Sequence, residues 1–280
     1  MRRIGRLSVI ALVLGLAGCA GADDSDDRAR YDAMLEIEKV PGVLVAPYER
    51  YVQIDPAAPE DEIVTTALAV REILDGLGSD RPNELDLIAV YPGDAYVTTE
   101  FTTRSYEDAD RFERDVRIWA GLLDEGFTEV RYNVFDEAGD GVLNVHSGEP
   151  GEPGPTVNQA FDAMVAALGD DLMSFPGLQT EALVGDVLVT NRSGHPALPA
   201  GWDTALEEVT NLEYIPKANA QFESDTTALR LTGATGLTAE QTAEILGILG
   251  GAGVLQPSVS VSYAIRGDDD SLTTLFGAAP

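Results

Sequence analysis

The chain contains two histidines and one cysteine, so the residues able to do general-base, metal or thiol chemistry can be taken one at a time. His195 lies in the loop Arg192-Ser193-Gly194-His195-Pro196, and His146 alternates with Val142 and Asn144 along an extended arm. Either imidazole could serve as a general base or a lone metal ligand near neutral pH. Neither has a second histidine or a cysteine at ligand spacing, so a zinc site is not expected and the plainer reading is a surface histidine. No GxSxG elbow occurs for a serine nucleophile. The glycines between Gly247 and Gly253 follow a helical run instead of preceding a helix start, so they do not form a phosphate cradle. In Asp136-Glu137-Ala138-Gly139-Asp140-Gly141, oxygen ligands recur around glycines, which makes Asp136 and Asp140 weak calcium candidates. The acidic alternation is incomplete and no closing glutamate follows, and a hairpin turn accounts for the same glycines. The run Asp268-Asp269-Asp270 reads as solvated charge. No enzyme, cofactor or resident metal is expected from these motifs.

The cysteine is different. Arg2, Arg3 and Arg6 precede an apolar stretch from Leu7 to Leu16, and the small residues Ala17 and Gly18 then lead to Cys19. This is the three-part pattern of an export signal. The stretch falls short of the roughly 20 apolar residues that a membrane span needs. Cys19 has no cysteine with which to form an intramolecular disulfide. The run Leu16-Ala17-Gly18-Cys19 resembles the lipobox of bacterial lipoproteins. That resemblance implies diacylglycerol on the Cys19 sulfur, cleavage between Gly18 and Cys19, and acylation of the new amine. It places the domain at the extracytoplasmic face of a cell membrane, held by lipid. Beyond the leader, the likeness is to the secreted lipoproteins of GC-rich bacteria in general.

Charge narrows the partners. With 48 acidic and 18 basic residues the formal charge is −30, and loss of the three leader arginines takes it to −33. Phosphate backbones require a basic surface, so no nucleic-acid partner is expected. Adhesion to anionic lipid through basic residues is disfavoured too, which leaves the acyl chains to anchor the protein. An acidic surface keeps a protein soluble at a crowded membrane, and could also attract cations. An apolar fraction of 44% is ordinary for a folded domain.

The elements that would position these residues follow from periodicity. Residues 1–18 read as signal peptide and 19–39 as an acidic tether with a short helix near Arg28–Glu38. Val43–Ile54 predicts a strand, and Pro59 opens a helix with Ile63, Ala67, Val70, Leu74 and Leu77 on one face. Leu85–Tyr91 and Ala95–Thr103 predict a hairpin around Pro92-Gly93-Asp94. Ser105 is positioned to cap a helix that buries Ala109, Phe112, Val116, Trp119 and Leu123. A strand at Val130, Tyr132 and Val134 and an arm at Val142–His146 follow. A segment spanning 148–174 reads as a linker with one helix, near Thr156–Leu168. The strand, helix, strand, strand, helix, strand order then recurs, with strands at 181–191, 213–222, 226–232 and 258–265. Helices near Trp202–Leu212 and after the capping box Thr238-x-x-Gln241 fill the gaps.

This order predicts an α+β protein: two tandem ferredoxin-like (βαββαβ) domains with antiparallel sheets, after an N-terminal signal helix. They would occupy 40–147 and 175–267, leaving 268–280 as a loose tail. One mixed sheet made of all the strands is the alternative. Pro216 requires its strand to be a sheet edge, which the second strand of a ferredoxin-like unit is. Tyr48, Tyr51, Tyr91, Tyr96 and Phe101 would be core and cross-strand packing residues, or else an aromatic surface on the first sheet. Functionally the expectation is a non-catalytic binding or interaction module of the cell envelope, with an unidentified envelope protein as partner. A calcium-responsive lipoprotein and a hydrolase with scattered site residues are the alternatives.

Overall fold

The computed structural model describes residues 24–90, 98–104, 108–135, 140–148, 154–169, 177–193 and 197–277. The leader, Cys19, Asp136, His195, Ser105 and the turn at 92–94 lie outside these residues.

Helix α1 (Asp24–Ile37) is followed by strands β1 (Val43–Tyr48) and β2 (Tyr51–Ile54), then α2 (Glu60–Asp75). The pattern continues with β3 (Leu85–Val90), β4 (Thr98–Thr103), α3 (Ala109–Leu123), β5 (Glu129–Val134), β6 (Gly141–Ser147) and α4 (Val157–Leu168). Strands β7 (Leu178–Val184) and β8 (Val187–Asn191), helix α5 (Trp202–Thr210), strands β9 (Lys217–Phe222) and β10 (Thr227–Gly233), helix α6 (Ala239–Gly251), and strands β11 (Val259–Ile265) and β12 (Asp268–Phe276) complete it.

All twelve strands form one sheet, in the order in which they occur in the chain. Pairing alternates: antiparallel within a hairpin, as in β5 with β6, and parallel between hairpins, as in β4 with β5 and β6 with β7. Among the described residues there are thus six ββ hairpins joined by five helices, a linear ββα array. The hairpins begin at residues 43, 85, 129, 178, 217 and 259, a period of about 40–50 residues, in the range of solenoid repeats. The α+β class is as expected, but the arrangement within it differs from the tandem ferredoxin-like one. That arrangement would interleave the strands in two antiparallel sheets, whereas here each strand joins its neighbours in sequence and the single sheet is mixed. The sheet also runs without interruption across residues 148–174, because β6 pairs with β7 from Gly141↔Leu178 to Ser147↔Val184.

Local chemistry explains where the elements begin and end. Pro59 precedes the first turn of α2, where Glu60, Asp61 and Glu62 complement the positive end of the helix. Asp108 caps α3 by accepting from the Asp110 and Arg111 amides, the part expected of Ser105. Capping boxes open α4 (Thr156 with Gln159) and α6 (Thr238 with Gln241). Gly42 has φ +89°, and a Cβ there would collide with the Thr66 hydroxyl, which donates to the carbonyl of Pro41 at 2.8 Å. This fixes the turn into β1.

The helices lie side by side on one face of the sheet in chain order, with α1 packed on β1 and α2 at one end. The core fills the space between the layers. Ile63, Ala67, Val70 and Leu74 of α2 and Phe112, Val116, Trp119 and Leu123 of α3 are buried there. Phe101 is fully buried, with its ring 6.0 Å from Phe112, 6.1 Å from Trp119 and 5.8 Å from Tyr132. Tyr48 is instead 67% exposed. Pro216 sits one residue before β9, which is an interior strand between β8 and β10, so the proline spares the ladder without an edge. The segment expected as a loose tail from Asp268 forms β12, the edge strand paired with β11.

Candidate functional site

Strand side chains alternate between the two faces, so what the helices leave uncovered can be read from register. In β5, Val130, Tyr132 and Val134 are buried beneath the helices and Glu129, Arg131 and Asn133 stand on the other face. In β6, Leu143 and Val145 go inward and Asn144 and His146 outward. Continuing across the sheet, Glu100, Arg131, Asn144, Glu181, Thr190 and Gln221 are cross-strand neighbours in one row. This row of acceptors and donors crosses six strands with no apolar residue in it.

Side-chain contacts hold these groups in place. His146 Nδ1 is 3.0 Å from Glu129 Oε2, directly opposite it in register, and Glu129 also pairs with Arg131 two residues along. The Thr190 hydroxyl donates to Glu181 at 3.1 Å. Arg192 donates to Gln179 at 2.7 Å and lies 3.8 Å from Glu223. The Thr102 hydroxyl donates to Asp86 at 2.9 Å. Burial raises the Asp86 carboxyl above its ordinary range, opposed by that hydrogen bond and reinforced by Glu84 and Glu100. The Oδ1 atoms of Asn144 and Asn219 are buried and have no hydrogen-bond partner among the described residues. Such atoms carry a desolvation penalty that a bound donor would relieve.

A second polar cluster lies under the helices. Asp115, 1% exposed, is 3.4 Å from Arg114 and 3.5 Å from Arg111. Burial pushes its carboxyl up, against the pull of the two guanidinium groups. The buried Tyr132 hydroxyl is raised well above its usual range, by burial first and then by Asp115. Asp115 falls on the apolar stripe of α3 between Phe112 and Val116, and only an acidic residue placed on a hydrophobic face could have disclosed it.

Of the residues singled out from sequence, His146 is on the open face beside Glu129. Asp140 closes the β5–β6 hairpin, its carbonyl accepting from the Phe135 amide at 2.9 Å, and its carboxylate packs against Gly177. The weak calcium pairing of Asp136 with Asp140 lies in part outside the described residues. Among the described residues no group of three His, Cys, Asp or Glu side chains could hold a metal ion. No helix among them is long and apolar enough to cross a membrane. What the sequence did not indicate is the continuity of this polar row, since its members come from six strands spread over more than a hundred residues. No protein-family model, curated protein or solved structure matches the chain.

Proposed function

We propose that this chain is a lipid-anchored extracytoplasmic protein whose open sheet face binds an envelope partner without catalysing a reaction. The observation that carries the reading is the one-sidedness of the sheet. Helices α2 to α6 pack along one face, and the other presents a polar row across β4 to β9 with hydrogen bonds and ion pairs among its side chains and their neighbours. A long array with a fixed, repetitive surface is suited to an extended partner. The leader, with its lipobox-like Leu16-Ala17-Gly18-Cys19, supports the placement at a membrane. Two acyl chains would suffice as anchor, each buried methylene contributing about 0.8 kcal/mol.

Two measurements test the two halves separately. Cys19→Ala should yield protein released by a high-salt wash or retained as uncleaved precursor; normal maturation with salt-resistant membrane binding would overturn the anchor. A photo-crosslinking residue at Asn144 or Gln221, on the open face, should capture a discrete partner in native membranes. The same probe at Asp162 or Glu207, on α4 and α5, should not. Equal capture from both faces would overturn the assignment of the open face.

A further inference from the structure

One corner of the open face carries a cavity of its own. Lys217 of β9, Thr232 of β10 and Ala264 of β11 are direct cross-strand neighbours, and in the next row of the same face come Asn219, Arg230 and Ser262. The short side chain of Ala264 leaves a depression between longer ones. Lys217, Arg230 and Arg266 wall it, with Asp186 and Pro216 at one side and Gly267 at another, enclosing about 320 Å³. That falls within the range of roughly 300–1,000 Å³ typical of small-molecule sites.

The charge of the cavity inverts that of the protein. Three of the chain's 18 basic residues line it and a single carboxylate, Asp186, does so, although acids outnumber bases 48 to 18 overall. Lys217 and Arg230 are diagonal neighbours across β9 and β10, an arrangement in which like charges repel. Elsewhere on this face the cations are neutralised: Arg131 by Glu129, Arg192 by Glu223. Among the described residues neither Lys217 nor Arg266 forms an ion pair. Arg230 has an interaction of its own within the protein. The buried Asn219 Oδ1, without a hydrogen-bond partner among the described residues, belongs to the same lining.

We propose that this cavity binds a small hydroxylated oxyanion, the chemistry shared by sugar acids and sugar phosphates. The guanidinium forks of Arg230 and Arg266 suit paired oxygens of a carboxylate or phosphate, Lys217 supplies a point charge, and Asn219 accepts from a neighbouring hydroxyl. The inference stands on the cavity and its side chains and does not depend on the lipid anchor or on a protein partner.

Isothermal titration of the purified protein at low ionic strength with D-glucuronate, D-glucose 6-phosphate, D-glucose and inorganic phosphate tests it. One or both hydroxylated anions should bind, which distinguishes a carboxylate from a phosphate ligand, and neutral glucose should not. The double variant K217Q/R266Q should weaken binding at least tenfold with an unchanged thermal midpoint, since both residues are exposed. Arg192→Gln, on the same face outside the cavity, should leave affinity within twofold. Absence of binding by both hydroxylated anions at millimolar concentration overturns the proposal, as does binding indifferent to K217Q/R266Q. Inorganic phosphate binding as tightly as glucose 6-phosphate overturns it too, because hydroxyl recognition would then contribute nothing.

Discussion

Arg111 and Asp115 face each other one turn apart on α3, Nε to Oδ2 3.5 Å, with the arginine 12% and the aspartate 1% exposed. Residues four apart share a helix face, so a charged pair has been set on the stripe that buries Phe112 and Trp119. Removing one partner of a buried pair strands the other charge. Asp115→Leu should therefore destabilise the protein by about 3 kcal/mol, measured by urea unfolding. A loss below the error of the measurement would mean that the arginines find water without structural cost.

The same carboxyl gives a signed dependence on pH. Burial holds Asp115 above 3.8, so the native chain binds this proton more readily than the unfolded chain does. Ionisation of the group thus costs stability above its folded-state pKa, and that cost is lost as pH falls through the folded value towards 3.8. Relative to Asp115→Asn, which lacks the proton, the wild type should gain in urea midpoint on acidification from pH 7 to about 4.5. A difference between the two proteins that does not change with pH would contradict the assignment.

Gly233 ends β10 against the ring of Tyr263, whose hydroxyl donates to the carbonyl of Thr235. A Cβ at Gly233 would collide with that phenolic oxygen and with the carbonyl of Tyr214. Gly233→Ala should cost about 1–3 kcal/mol through overpacking. Combining it with Tyr263→Phe should recover part of the loss, and a double-mutant cycle reads the coupling.

The helix caps offer a smaller, local test. Thr156→Ala and Thr238→Ala each remove the hydroxyl that accepts from the amide three residues on, at a cost of about 1 kcal/mol. Amide exchange should quicken in the first turn of α4 or α6 respectively, and not in the other helix.

Truncation after Gly267 tests the last strand. Residues 268–276 cover the outer edge of β11 through Ile265↔Asp268, Tyr263↔Thr273 and Val261↔Phe276. Without them an interior strand becomes an edge, and exposed ladder groups template association. The truncated protein should lose stability and self-associate with rising concentration in size-exclusion chromatography. A monomer with an unchanged melting midpoint would indicate a dispensable tail.

Much of the element order was legible because it rests on local signals. Helices α2 to α6 follow from 3.6-residue periodicity with Pro59, Thr156 or Thr238 at their starts, and β5 and β11 from strict alternation. Two hairpins, β1–β2 and β7–β8, fall within segments whose patterns each suggest a single strand. The turn at Glu49-Arg50 contains no glycine, and β1 meets β2 with irregular register, as expected where no residue supplies positive φ. The turn at Gly185-Asp186 did carry the signal, Gly185 having φ +55°, but it was submerged in the apolar run Ala182 to Val189. These two turns, together with β12 lying in the segment expected as a loose tail, concealed the sixfold repeat and left an order compatible with ferredoxin-like units. Alternation tells which face a side chain occupies and says nothing of which strand lies beside it. The polar row and the cavity around Ala264 both depend on that missing information.

Sequential pairing of every strand has a kinetic consequence. A sheet of twelve strands ordinarily implies distant partners and slow folding, because long loops must close before contacts reward them. Here each parallel pairing closes over a single helix, so growth can proceed hairpin by hairpin from any seed. The interior hairpins around β5 to β8 are flanked on both sides, whereas β12 has a neighbour on one side only. Native-state hydrogen exchange should accordingly show protection highest in the middle of the array and falling towards its last hairpin, the chain opening as a zipper from its free end.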